Sequence, residues 1–339
     1  MNRALREMMV RAATTVVRPF CGGLGCILAL QRVIPNKARS ALPSNRALEI
    51  TPEDLRAMLA WTRERGLEAI RLDEVPDRLA GSRGPRFVCF TLDDGYRDNL
   101  VHALPVFREF SAPLTVNVTN GFAAGTASVW WYFVEEALAA QETLRFSWEG
   151  KERRFPAQTT LERNRALDEI AGLIRALGMG RDELIRCVAE AAGVDPCAAT
   201  RRLCMGWEEV RTLAADPLVT IGAHTAGHHG LNRLTEAEIV AEVEGGRREL
   251  AAQIGREVRH FAYPFGGPNA AGEREFAIVR RSGFATMLTT RAGNLTGRHA
   301  GLADRLPRFG LSGNYPAVRS LSMIESGLAA LRERKTRRG

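Results

Sequence analysis

Apolar residues along this chain fall into short dense runs, separated by stretches with helical period. GCILALQRV (25–33), RFVCFTL (86–92), PLTVNVT (113–119), LVTIGAH (218–224), VRHFAYPFG (258–266), ATMLTT (285–290) and LPRFGL (306–311) read as strands. Between them, Thr51-Pro52-Glu53-Asp54 opens a helix that runs through LRAMLAWTRERG to Gly66, with Thr51 as N-cap, Pro52 in the first turn and Asp54 completing a box-like pattern. Helical period also marks NLVHALPVFREF (Pro105 a kink candidate), TEAEIVAEVEGGRRELAAQIG, GEREFAIVRRSG and SLSMIESGLAALRERK. Strands alternating with helices predict a parallel α/β sheet or barrel. Residues 128–205 differ in texture. WWYFVEEALAA, LERNRALDEIAGLIRAL and RDELIRCVAEAAG are helical, and LRFSWEGKERRF reads as a hairpin turning at Glu149-Gly150. The predicted organisation is a segment 1–85 (strand and helix) leading into a barrel domain at 86–320. A mostly helical insertion at 128–205 interrupts that domain, and a helix with a basic tail closes the chain at 321–339.

Composition narrows the class. The 339 residues are 45% hydrophobic and 25% charged, as in an ordinary globular protein, so disordered, collagenous and coiled-coil readings fail. No run approaches the roughly 18 apolar residues of a membrane span. The formal net charge of +8 sits in the ends: residues 1–39 carry +6 and residues 332–339 carry +4, leaving about −2 on the body. A basic groove for nucleic acid is therefore not expected, although the ends could touch an anionic membrane or polymer. The six cysteines, at 21, 26, 89, 187, 197 and 204, form no CxxC pair. With Arg18-Pro19 breaking the first apolar segment and no small-residue cleavage site after it, a reduced, cytoplasmic location is the expectation. Nothing in the sequence speaks to oligomeric state.

Three clusters follow predicted strands, where α/β folds gather their chemistry. Asp93-Asp94-Gly95 puts two carboxylates at a strand end, and neighbouring strand residues point opposite ways, so the two acids would divide roles. A plain Asp-Gly turn is the bland alternative. His224-Thr225-Ala226-Gly227-His228, followed by His229, holds three of the six histidines, and two imidazoles plus a carboxylate suit zinc, nickel, cobalt or iron. Phe261-Ala262-Tyr263-Pro264-Phe265-Gly266 could line a sugar-sized groove, or be a packed loop. One Asp and two His as a metal site, with a second Asp as base, suit metal-assisted hydrolysis.

In these motifs the chain resembles the polysaccharide deacetylases, the carbohydrate esterases built on the NodB homology domain. TLDDGY is similar to the family's TFDDG, HTAGH to its H-S/T-x-x-H, and FAYPFG to its Pro-rich groove motif, in order and at agreeing separations. LEITPEDL, the WW segment, GF…TT and LPRFGL resemble the rhizobial-type bacterial branch. The resemblance implies a distorted (β/α) barrel and removal of N-acetyl groups from a GlcNAc-containing oligo- or polysaccharide, chito-oligosaccharide included. It implies Asp93 as general base and Asp94, His224 and His228 as ligands of a divalent metal, with zinc first and nickel, cobalt or manganese open. Thr225 would hold the loop between the histidines, and the Tyr96 backbone N–H would stabilise the oxyanion. Tyr263, Pro264, Phe265 and Gly266 would shape the groove.

Two positions depart from the family pattern. Ala262 stands where an Arg often pairs with the base, and Arg308, in LPRFGL, stands near the place of a general-acid His. An arginine does not release its proton at ordinary pH. The expectation is that Arg308 orients Asp93 or binds the oxyanion, with His229, His260 or a water as the acid. Gln31 also replaces a His found in many relatives. Two other functions stay open at this stage: a degenerate glycan-binding protein, and a metal amidohydrolase acting on a non-sugar amide.

Overall fold

The structure, a computed structural model, describes residues 23–81, 84–327 and 329. Cys21, most of the basic N-terminal stretch and the basic tail at 332–339 lie outside the described residues. Twelve strands are described: β1 Gly25–Leu30, β2 Arg32–Val33, β3 Glu49–Ile50, β4 Glu68–Ala69, β5 Phe87–Leu92, β6 Leu114–Val118, β7 Thr143–Trp148, β8 Lys151–Pro156, β9 Val219–Ala223, β10 His260–Ala262, β11 Thr286–Leu288 and β12 Phe309–Gly310. The main sheet runs β11-β10-β9-β6-β5-β1-β12, all parallel, with β4 alongside the start of β5. β1 and β5 are buried at every position, as expected of strands covered on both faces. The strand of the 1–85 segment is thus part of the barrel wall.

The two sheet edges meet through one segment. Leu306 exchanges backbone hydrogen bonds with Met287 and Thr289 beside β11, and Phe309–Gly310 then pairs with β1. LPRFGL is therefore only briefly a regular strand. It is the staple that curls the sheet into a distorted (β/α) barrel and carries Arg308 into its interior.

Local sequence accounts for most helices. Thr51 and Asp54 form the expected capping box on the helix Pro52–Glu64, worth about 1 kcal/mol. The helix expected over 99–110 is split. Pro105 has no N–H to donate, and a π turn at Asn99–Ala103 precedes the α-helix Leu104–Phe110. The helix expected over 235–255 is likewise Glu236–Val240, a π turn Ala241–Gly245, then Gly246–Ile254. A Cβ on Gly246 would lie 3.0 Å from the Ala226 nitrogen, so glycine lets this helix press against the loop after β9.

The 128–205 region builds a second hydrophobic core from helices Trp130–Ala139, Thr160–Ala176 and Arg181–Ala192 and the β7–β8 hairpin, which also takes in Leu42, Tyr96 and Phe122 from outside the region. Glu149 and Gly150 both take left-handed φ, as a two-residue hairpin turn requires. Its first helix is bonded to the barrel top: the Tyr132 hydroxyl donates to Glu49 (2.8 Å), whose neighbour Arg32 pairs with Asp98 at 2.8 Å and lies over the Tyr96 and Tyr132 rings. The five described cysteines are free thiols, and no described helix is long and apolar enough to cross a membrane.

Candidate active site

β5 ends at Leu92, and the Asp93 amide still donates to Leu30 (3.0 Å), so Asp93 continues the strand. The chain then turns sharply through two left-handed residues, Asp94 (φ 74°) and Gly95 (φ 75°). This reversal sends the two carboxylates into different surroundings. Asp93 is gripped by Arg308, whose two terminal nitrogens donate to its two oxygens at 2.8 Å each. Asn117 of β6 adds a third bond to Oδ1 at 2.7 Å. Arg308 is wholly buried, and it also donates to the Thr289 carbonyl (3.0 Å) and Thr91 Oγ1 (2.9 Å). Four of its donors are engaged, which fits the orienting role and leaves it badly placed for an oxyanion. Burial is the largest single influence and raises the Asp93 pKa, but the Arg308 charge, the His224 charge and the hydrogen bonds from Arg308 and Asn117 together outweigh it, and the group is held down at about 2. Gly222 lies opposite Asn117 in the ladder; a Cβ there would be 2.2 Å from Asn117 Oδ1.

Asp94 has the opposite environment. It is buried, and neither carboxylate oxygen has a hydrogen-bond partner. Facing it are His224 Nε2 at 3.5 Å and His228 Nε2 at 3.2 Å from Oδ1. One donor atom from each residue lies within 4.8 Å of the others. Burial pushes the Asp94 carboxyl up to about 7, His224 pulls it down and Asp93 pushes it up further. Burial drives both histidines toward the neutral form: the His224 pKa is lowered, and that of His228 falls to about 3 with help from the Arg181 charge and His229. His224 Nδ1 lies 2.8 Å from the Ala262 carbonyl; donating there leaves Nε2 with its lone pair toward Asp94. Neutral imidazoles around a buried carboxylate with no protein donor are what a divalent cation needs, and these residues fit one.

The loop between the histidines is strained and tightly held. Thr225 (φ 65°) and His228 (φ 61°) are left-handed, a conformation costing of order 1–3 kcal/mol per non-glycine residue. Thr225 Oγ1 accepts the His228 N–H at 2.8 Å. Phe122, Trp131 and Phe265 pack around the His228 ring, with centroids at 5.4, 5.3 and 4.8 Å. Trp131 also donates to the Tyr96 hydroxyl at 2.9 Å. No described group accepts the Tyr96 backbone N–H.

Other expected residues fall elsewhere. Tyr263 is not a groove residue: it is fully buried, its hydroxyl donates to the Asp304 carbonyl (3.0 Å), and its ring packs on Phe261 and Phe276. Strand alternation turned it inward. Pro264 and Gly266 are also buried, and of the four only Phe265 keeps partial exposure. A Cβ on Gly266 (φ 58°) would lie 2.6 Å from the Thr290 nitrogen, so this glycine serves close backbone packing. His260 cannot be the leaving-group acid. It starts β10, at the far end of the barrel, where it lines a cavity of about 320 Å³ with Arg71, Asp73 and Arg259, its ring 2.8 Å from Thr286 Oγ1 and 3.1 Å from Asp73. His229 is engaged with Glu242 at 3.3 Å.

Asn117, Glu242, Trp131 and Arg181 were not found from sequence. Asn117 had a signal, as the single amide within the apolar run PLTVNVT. Arg181 had none, as one arginine among many at a helix start.

A parallel barrel with a buried Asp-His-His cluster beside an arginine-held aspartate at the strand ends defines a hydrolase of the carbohydrate-esterase kind. The chain belongs to the polysaccharide deacetylase family, whose sequence model matches residues 80–278. Its fold is shared with the Streptococcus pyogenes deacetylase PplD in complex with acetate (15% identity, TM-score 0.56, covering 88% of this chain and 96% of that one). It is shared too with IcaB from Ammonifex degensii (19%, 0.55, 89% and 97%). The BpsB deacetylase domain from Bordetella bronchiseptica is a third neighbour (17%, 0.50, 84% and 95%). No curated protein sequence matches the chain significantly.

Proposed function

We propose that this protein is a divalent-metal-dependent N-deacetylase acting on a GlcNAc-containing oligo- or polysaccharide. The observation that carries the reading is the buried Asp94–His224–His228 cluster, its Asp94 oxygens without a protein donor, next to an Asp93 fixed by Arg308. When bound there, a divalent metal, with zinc first and nickel, cobalt or manganese able to use the same donors, lowers the pKa of a water and polarises the amide carbonyl.

The chain's own residues supply the rest. Asp93, ionised at neutral pH, takes the proton of the attacking water. The Tyr96 N–H is available to the carbonyl oxygen as negative charge develops on it. With His260 at the other end of the barrel and His229 held by Glu242, the proton gained by Asp93 is the one at hand for the departing amine. A carboxyl held near 2 is a weak base but a strong acid, so this second transfer is the easier of the two. Arg308 keeps the carboxylate in place for both. The half-buried Phe265 beside His228 supports a sugar ring reaching the site along that side.

Acetate release from chitopentaose tests this reading, with untreated protein, chelated protein, and chelated protein given back zinc, nickel, cobalt or manganese. Release lost on chelation and restored by a metal is the expected result. A folded, metal-loaded protein that releases no acetate from acetylated chito-oligomers or exopolysaccharide would refute it in favour of glycan binding.

A further inference from the structure

Every backbone carbonyl of the loop His224–His228, and every backbone N–H but that of Thr225, has a hydrogen-bond partner among the described residues. His224 N–H donates to the Val118 carbonyl, and the His224 carbonyl accepts from Thr119 Oγ1. The Thr225 and Ala226 carbonyls accept from the amides of Asn120 and Gly121, and Ala226 N–H donates to the Glu242 carbonyl. Gly227 N–H donates to Glu242 Oε2 at 2.8 Å, and His228 N–H to Thr225 Oγ1. Two carbonyls remain, those of Gly227 and His228. Both accept from one side chain, the guanidinium of Arg181. Arg181 opens the helix Arg181–Ala192, so it comes from the 128–205 insertion and not from the barrel.

This is an expensive way to use an arginine. Arg181 is 4% exposed, and its nearest carboxylate, the exposed Asp182, is 3.5 Å from Nε. A buried cation whose one close anion is an exposed carboxylate costs free energy that an apolar side chain would not. What the guanidinium offers in return is a planar fork that fits two adjacent carbonyls at once. Those carbonyls belong to His228, which carries a left-handed φ, and to the residue before it. A left-handed non-glycine residue persists only where its surroundings fix it. We infer that Arg181 is a positioning residue that holds His228 in its metal-ligating pose, which makes the insertion a structural part of the metal site. This inference rests on the metal reading above.

Metal affinity tests it without recourse to activity. Wild type, Arg181→Met, Arg181→Lys and His228→Ala are compared by zinc competition with a chromophoric chelator and by the visible spectrum of the cobalt form. Circular dichroism and thermal unfolding of the metal-free proteins identify the folded variants. The expected result is an affinity about 10–100-fold lower in Arg181→Met, the range found for outer partners of metal ligands, with a shifted cobalt spectrum and an intermediate Arg181→Lys. Folded Arg181→Met with unchanged affinity and spectrum would overturn the inference, even if its thermal stability falls. Should Arg181→Met not fold, Arg181→Lys decides in the same way. If wild type binds no metal, or His228→Ala binds as tightly as wild type, the metal reading itself fails, whatever the Arg181 variants do.

Discussion

Replacing Arg308 with Met would leave Asp93 as a buried carboxylate with one neutral donor, Asn117, and no cation. The wild-type pair is joined by two parallel bonds of 2.8 Å, the short bidentate geometry of charge-assisted contacts. Removing one partner of such a buried pair costs about 3–5 kcal/mol, because the other charge is left unpaired. That is a large share of a total stability of about 5–15 kcal/mol. Asp93→Asn should be costly for the mirror reason, since it strands a guanidinium inside the barrel. The double variant Asp93→Asn/Arg308→Met removes both charges and should be far less damaged than the two single costs together. Urea unfolding in the cold, with chelator present in every sample, gives the cycle. A coupling energy of roughly 3 kcal/mol, the upper range for residues in contact, is expected. Arg308→Lys should recover only part of it, because a single ammonium cannot make the fork. Single costs that add to the double cost within about 0.5 kcal/mol would refute the pairing.

Gly222→Ala would drive a Cβ to 2.2 Å from Asn117 Oδ1 and take the amide off Asp93; a loss of about 1.5–3 kcal/mol, the worth of a hydrogen bond to a charged group, with a lower kcat, is expected from unfolding and rate measurements. Thr225→Val keeps the shape but strands the buried His228 N–H, which should cost about 1–3 kcal/mol and weaken zinc binding in chelator competition. His260→Asn should lower the melting temperature and leave kcat/KM for acetate release nearly unchanged, whereas a loss of several orders of magnitude would return His260 to the chemistry.

The sequence was most legible where local chemistry decides structure. The Thr51–Asp54 box, the Glu149-Gly150 hairpin and the apolar runs of β1 and β5 form as their residues require. It was least legible where distant segments compete for one piece of chain. The split helices at 99–110 and 235–255 have helical period throughout, and their π turns come from Pro105 and from close packing at Gly246. Asp93, Asp94, His224 and His228 stood out in motifs that begin at the ends of β5 and β9, and the fold brings donor atoms of the last three within 4.8 Å of one another. Tyr263 was misread because a position in a motif does not say which face of the strand it occupies. Arg181 and Glu242 were invisible because they act through backbone atoms of a loop 46 and 15 residues away, and no local pattern encodes that.

The adjacent acids are set apart even though Ala262 stands where the family pattern often has an arginine. A left-handed turn at Asp94 sends the two carboxylates into different surroundings, although the Asp93 charge still pushes the Asp94 pKa up. Arg308, arriving on the segment that closes the barrel, supplies Asp93 with a permanent cation from within the protein and holds its pKa near 2. Asp94 receives no such partner, and its pKa stands near 7. Environments that push two neighbouring groups this far apart suit them to the different roles proposed above. The one whose charge is already balanced can accept and return a proton without disturbing the site. The one whose charge is unbalanced is, on the proposed reading, the one a divalent cation would balance, with the two neutral imidazoles beside it facing the same point. Ala262 offers Asp93 no guanidinium, and the barrel brings one to both carboxylate oxygens from Arg308, on the sheet-closing segment 46 residues further along the chain.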